Sequence, residues 1–191
     1  MARFEHLVVA LGVLLAACAA PVLVGTEIAP AAGPDFTLTD GISGRATTLS
    51  AQRGKVVVLS FLYTHCPDVC PLTAEVFRQT QQKLTADERA RTIFMAVSVD
   101  PAQDTAQAVR AFAQDHGLAT NFLFLIGTAD QLRTVWSAYG IRTETDPTTP
   151  GVGHSDAIYV LNGKGQARVL VHSDIAPSDL ATDIKILAAE R

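Results

Sequence analysis

Val56-Val57-Val58-Leu59-Ser60-Phe61-Leu62 is a continuous apolar run, followed by Tyr63-Thr64-His65 and then by Cys66-Pro67-Asp68-Val69-Cys70-Pro71. A run of seven residues with almost no polar break reads as a parallel strand covered on both faces. The cysteines that follow stand at i and i+4, one helical turn apart, so both sulfurs can face one side of a helix that starts here. A helix N-terminus lowers thiol pKa values and favours the thiolate, which is both nucleophile and metal ligand. Asp68, between the two thiols, acts in the opposite direction when it is close. Two prolines, an acid and a histidine among the cysteines argue against two inert, core-filling thiols.

Outward from this segment the chain alternates. Thr92–Val99 and Phe122–Ile126 are further apolar strands. Leu72, Val76 and Leu84 mark a helix after Pro71, and Ala108, Val109, Phe112 and Ala113 mark a second. Leu132, Val135, Trp136 and Tyr139 mark a third, which Gly140 stops. Asp104-x-x-Gln107 and Thr128-x-x-Gln131 read as capping boxes. Ala157–Leu161 and Arg168–His172 flank Asn162-Gly163-Lys164-Gly165 as a β-hairpin, and Leu180, Ile184 and Leu187 mark a closing helix. Upstream, Asp35–Thr39 and Ala46–Leu49 flank Asp40-Gly41 as another hairpin.

Strand, helix, strand, helix, hairpin, helix is the order of a thioredoxin-like domain. The expected class is therefore α/β, a central mixed sheet flanked by helices. An N-terminal β-hairpin precedes it, and a βα insertion (Phe122–Ile126, Thr128–Tyr139) comes before the final hairpin. In that fold the loop entering the final hairpin faces the helix that carries the reactive cysteines. Here that loop is Gly151-Val152-Gly153-His154-Ser155-Asp156.

With 191 residues, one domain of ordinary size plus a short extension is expected. Residues 1–17 read as a lipoprotein-type export signal: Arg3 opens it, an apolar stretch runs from Leu7, and Leu15-Ala16-Ala17-Cys18 resembles the bacterial lipobox. Apolar character continues to Val24, so an uncleaved membrane anchor, or a plain cleaved signal, are the alternatives. All three readings put the rest of the chain outside the cytoplasm, on the periplasm-facing side of a bacterial membrane. Residues 18–33, rich in Ala, Pro and Gly, read as a flexible tether, and residues 34–191 as the folded domain. Three cysteines then divide into one tethering residue, Cys18, and two working ones. Hydrophobic residues at 48% exclude intrinsic disorder. A net charge of −4 with no Lys/Arg cluster excludes binding along a nucleic-acid backbone.

Two soft thiolates plus one imidazole suit copper, Cu(I) in the first place and Cu(II) as well, whereas a structural zinc site wants a second cysteine pair that is absent. Of five histidines, His6 leaves with the signal or lies in the membrane, His116 sits at a helix end and His172 at a strand end. His65 adjoins Cys66 but diverges from the sulfurs' side. His154, preceded by Gly151 and Gly153, which allow close backbone approach, is the expected third ligand. Asp100, at the C-terminal end of a parallel strand, is with Asp68 a candidate to support the site, against a reading as a turn-former before Pro101.

Tyr63-Thr64-His65-Cys66-Pro67-Asp68-Val69-Cys70-Pro71 resembles the signature of the Sco/SenC family, copper proteins of cytochrome c oxidase assembly. Ser98-Val99-Asp100-Pro101-x-x-Asp104-Thr105 and His154 before a strand are similar to that family's other landmarks. The resemblance covers Pro34 to the C-terminus. It implies a thioredoxin-like fold binding copper through Cys66, Cys70 and His154. It also implies delivery of copper to, or reduction of cysteines at, the dinuclear copper A site of oxidase subunit II, with other copper chaperones as partners. The loop Arg142–Gly153 departs from the family in lacking bulky residues before the histidine. The rival on the same fold is an envelope thiol–disulfide reductase using Cys66 and Cys70, which needs no His154. A peroxidase would need an anchoring Arg near the thiol, and none lies between Arg53 and Arg78.

Overall fold

The computed structural model describes residues 21–144 and 151–190. The expected signal segment and Cys18 lie outside them. Eight strands form one sheet in the order β1-β10-β9-β4-β5-β6-β2-β3. At its centre are β4 (Val56–Leu62), β5 (Thr92–Ser98) and β6 (Phe122–Ile126), paired in parallel. Every residue of β4 and β5 is buried, which is why neither shows an alternating pattern. β9 (Ile158–Leu161) runs antiparallel to β4, and β10 (Gln166–Val171) antiparallel to β9. On the far side β2 (Thr37–Asp40) and β3 (Ala46–Thr48) form the expected N-terminal hairpin, with β2 antiparallel to β6.

Among the described residues five α-helices cover the sheet: α1 (Val69–Lys83), α2 (Ala86–Ala90), α3 (Ala106–Asp115), α4 (Ala129–Ala138) and α5 (Pro177–Ala189). Phe94 and Phe124 share one face by register, where Phe77 of α1 and Phe112 of α3 pack on them. Phe61 points to the other face and meets Tyr139 at the end of α4. The mixed α/β thioredoxin-like architecture is the one expected, including the β6–α4 insertion.

Four local expectations change. Residues 26–32, placed in the tether by composition, form β1 (Thr26–Ala32), an edge strand antiparallel to β10. Its side chains are mostly exposed and its register shifts between Glu27 and Ala31, so no alternation marks it in the sequence. Main-chain pairing and the Arg168–Glu27 ion pair hold it instead. Helix α1 starts at Val69 rather than after Pro71; a proline in the first turn sacrifices no intrahelical bond. Thr105, not Asp104, caps α3 by accepting from the Ala108 amide. The short helix α2, with a Thr85/Glu88 capping box, has no counterpart in the periodicity reading. The Thr128/Gln131 box is formed as expected.

Candidate metal centre

The C-terminal ends of β4 and β5 and the N-terminal end of β9 lie along one edge of the sheet. There Tyr63, Thr64 and His65 lead into the Cys66–Cys70 turn. Cys70 is fully buried at the second position of α1, while Cys66 is half-buried and accepts a hydrogen bond from the Cys70 amide at 3.4 Å. Both thiols are free. Opposite them, β7 (Thr143–Glu144) pairs with β8 (Gly153–His154) in a two-stranded ladder that projects His154 over the thiols.

His154 Nε2 stands 3.8 Å from Cys70 Sγ, and its Nδ1 is 3.0 Å from the Ser155 carbonyl. The Ser155 carbonyl can accept a hydrogen bond from Nδ1–H, which holds the ring with Nε2 as the nitrogen turned toward the sulfurs, the orientation a metal-ligating histidine requires. The holder of Nδ1 is the backbone of Ser155, not a side chain. Bond lengths of about 2.3 Å to sulfur and 2.0 Å to nitrogen put two ligands of one d10 ion roughly 3.5–3.7 Å apart. The Cys70–His154 pair is near that span. Among the described residues no three His, Cys, Asp or Glu side chains already converge as a closed cage, so the donors are neighbours that ligation would draw together.

The two thiols differ sharply. The Cys70 thiol hydrogen-bonds Cys66 and is the main reason its pKa falls well below the ordinary range; burial opposes this, and His154 and the amides of Asp68 and Cys70 add to it. Cys70 is pushed up by the same hydrogen bond and by burial, with the Cys66 and Asp104 charges contributing. The hydrogen bond between them thus favours the thiolate at 66 and the thiol at 70, as one shared proton.

Tyr63 completes the wall. Its ring meets His154 edge to face at 5.9 Å between centroids, and burial is the main cause of its pKa rising to about 12. Gly151 sits against it with φ +111°, and a Cβ there would come within 2.8 Å of the Tyr63 hydroxyl. Tyr63, Cys66, Asp68, Glu144, Gly151 and His154 are among the residues lining a cleft of about 460 Å³.

Of the other sequence candidates, Asp68 caps α1 by position only, with no side-chain cap bond, and stays at the cleft rim. Asp100 uses its carboxylate inside its own turn, accepting from the Ala102 amide at 3.2 Å and from Gln103 Nε2 at 2.8 Å. It is the turn-former. His65 Nδ1 pairs with the Thr64 hydroxyl, and His172 Nδ1 with the Asp156 carbonyl; neither reaches the thiols. The residue that sequence reasoning missed is Asp104. It is 5% exposed and accepts from the Thr64 amide (2.8 Å), the Thr64 hydroxyl (2.7 Å) and the Ser98 hydroxyl (2.5 Å). It thereby clamps the cysteine turn to β5. Burial raises its pKa, against the hydrogen bonds it accepts.

Fold and site together define a thioredoxin-like domain whose first long helix opens on an asymmetric dithiol faced by an imidazole. Comparison with known proteins gives that class a family. A family model described as SCO1/SenC matches residues 25–189, so the chain belongs to the SCO1/SenC family. The match begins at the foot of β1, in agreement with that strand being part of the domain. The protein SCO2 homolog of mitochondria in Bos taurus is 34% identical over 136 residues, 69% of this chain and 50% of that protein. The chain thus spans about half the length of that relative. Among solved structures, apo Sco1 from Thermus thermophilus superposes with a TM-score of 0.76 at 27% identity, covering 87% of this chain and 97% of that one. ScoI from Bradyrhizobium japonicum, described with copper bound, gives a TM-score of 0.69 at 27% identity, covering 82% and 99%.

Proposed function

We propose that this protein is a membrane-tethered, extracytoplasmic copper chaperone. It binds one copper ion through Cys66, Cys70 and His154 and supports assembly of the dinuclear copper A site of cytochrome c oxidase subunit II, in exchange with other copper chaperones. The tether is Cys18 with its lipid, or the apolar segment around it. The copper-bound Bradyrhizobium relative supports the choice of metal. The observation that carries the reading is the approach of His154 Nε2 to Cys70 Sγ at 3.8 Å, with the other ring nitrogen tied back to Ser155. A disulfide reductase does not require that imidazole, since the Cys70 hydrogen bond is the main cause of the lowered Cys66 pKa.

The chain's own groups do the following. Cys66 arrives as thiolate and needs no base. Cys70 gives up its proton as the soft cation replaces it, and His154 presents Nε2 with its other ring nitrogen held by Ser155. Anaerobic titration of the reduced protein with Cu(I) should saturate at one ion per chain. Cys66→Ser should abolish tight binding, because a hydroxyl is a hard, poorly ionised donor. Native-like affinity in that variant sinks the assignment.

The thiol asymmetry favours a second reading, reduction of a partner's disulfide. The Cys66 thiolate attacks one sulfur, the other leaves as thiolate, and Cys70, deprotonated, resolves the mixed disulfide; two electrons pass to the partner and Cys66–Cys70 closes. Both readings use the same sulfurs, so the disulfide and copper should exclude each other.

A further inference from the structure

The register fixes where the chain joins the sheet. Val57 pairs with Leu161 and Ser60 with Ile158, so the C-terminal end of β4, which leads into Cys66, lies beside the start of β9. Ile158 pairs with Val171, and Leu170 with Thr26. The start of β1 is therefore on the same edge of the sheet as the thiols and His154, three strands across, or roughly 14 Å at about 4.8 Å per strand.

The chain is clasped there. The amides of Val24 and Gly25 donate to the two carboxylate oxygens of Asp183, fully buried on α5, at 2.6 and 3.0 Å. Gly25 packs so closely on β10 that a Cβ would meet Val171 at 2.4 Å and Val169 at 2.5 Å. From Cys18 to Val24 only six peptide units are left, about 20 Å at full stretch. A compact domain of this size has a radius of gyration near 15 Å, hence a width of about 40 Å. The leash is half the width of what it holds. The large apolar side chains exposed among the described residues lie at this same end: Val22 (83%) and Val24 (52%) at the clasp, and Leu72 (56%) in the first turn of α1 beside Cys70.

We propose that the leash and the Val24–Asp183 clasp turn the end of the molecule bearing Cys66, Cys70 and His154 toward the membrane. The proposal rests on the membrane-attached reading above. It makes the tether a positioning device as well as an anchor. The far end, with Lys164 in the β9–β10 turn, faces away.

The test uses the full chain, purified from membranes and reconstituted in phosphatidylcholine vesicles with a nitroxide-labelled headgroup lipid. A fluorescent amino acid is placed at position 72 in one sample and at position 164 in another. Quenching at 72 should exceed that at 164 by threefold or more. Inserting twenty Gly/Ser residues between Ala20 and Pro21, whose r.m.s. span is about 25 Å, should bring the ratio close to one with Cu(I) stoichiometry intact. Equal or reversed quenching in the native-length protein, with the protein floating with the vesicles, overturns the orientation. An undiminished ratio in the lengthened chain overturns the role of the leash. A chain that does not float with the vesicles removes the membrane-attached reading itself, and the orientation with it.

Discussion

Removing the Asp104 carboxylate should loosen the cysteine turn more than any other single change outside the donor set. Asp104→Ala leaves the Thr64 amide and the Ser98 hydroxyl without their acceptor; the Thr64 hydroxyl can turn to water. A buried donor left unpaired costs about 1–3 kcal/mol. Two of them give roughly 2–6 kcal/mol, a large share of a typical stability of about 5–15 kcal/mol. At about 2–4 °C per kcal/mol for a chain of this size, the unfolding midpoint should drop by roughly 4–24 °C. Asp104→Asn behaves differently. Its carbonyl oxygen still serves Thr64, and the Ser98 hydroxyl can rotate to accept from the new amide, so the cost should be near 1 kcal/mol. Denaturant unfolding and competitive Cu(I) titration separate the two variants: the Asn protein should keep its copper affinity within about threefold, and the Ala protein should lose tenfold or more. An Asp104→Ala protein within 0.5 kcal/mol of the parent (about the size of an ordinary surface change) refutes the clamp. So does equal loss of copper in both variants.

Cys66 should alkylate with iodoacetamide as fast at pH 6 as at pH 8, since a depressed pKa keeps the thiolate as pH falls until that low value is crossed. An ordinary thiol near pKa 8.5 would slow by about 75-fold over the same interval, and that slowing contradicts the shared-proton pair; Cys70, buried, should stay unlabelled in both samples. Gly151→Ala puts a Cβ against the Tyr63 hydroxyl in a backbone conformation that disfavours it, at about 1–3 kcal/mol. Because the strain falls on the loop and not on the sheet, copper affinity should drop about tenfold with little change in unfolding midpoint, and an unaffected affinity would show that the loop does not set the position of His154.

What could be read from the sequence, and what could not, follows from where each signal resides. The central strands announce themselves because burial on both faces demands an unbroken apolar run, and Val56–Leu62 supplies it. His154 was legible through topology, since the loop into the final hairpin must face the cysteine helix and its glycines allow approach. β1 was not, because an exposed edge strand is held by its backbone and Thr26–Ala32 carries no side-chain period. The β7–β8 ladder that presents His154 is two residues long on each side, too short for any pattern. Asp104 looked like a helix cap because its real partner, Thr64, is 40 residues away. Asp100 looked like a site residue because it ends a parallel strand, yet its oxygens are spent inside the turn.

The most direct test of the central claim is His154→Ala assayed twice on one preparation. The imidazole is the only feature of the site that copper binding needs and dithiol chemistry does not. Anaerobic Cu(I) competition should show affinity down by about tenfold or more, equivalent to 1.4 kcal/mol or above for one lost ligand. Exchange of the Cys66–Cys70 disulfide with a small dithiol should proceed at nearly the parent rate. Unchanged copper affinity in that variant would contradict the account and leave the reductase reading in its place.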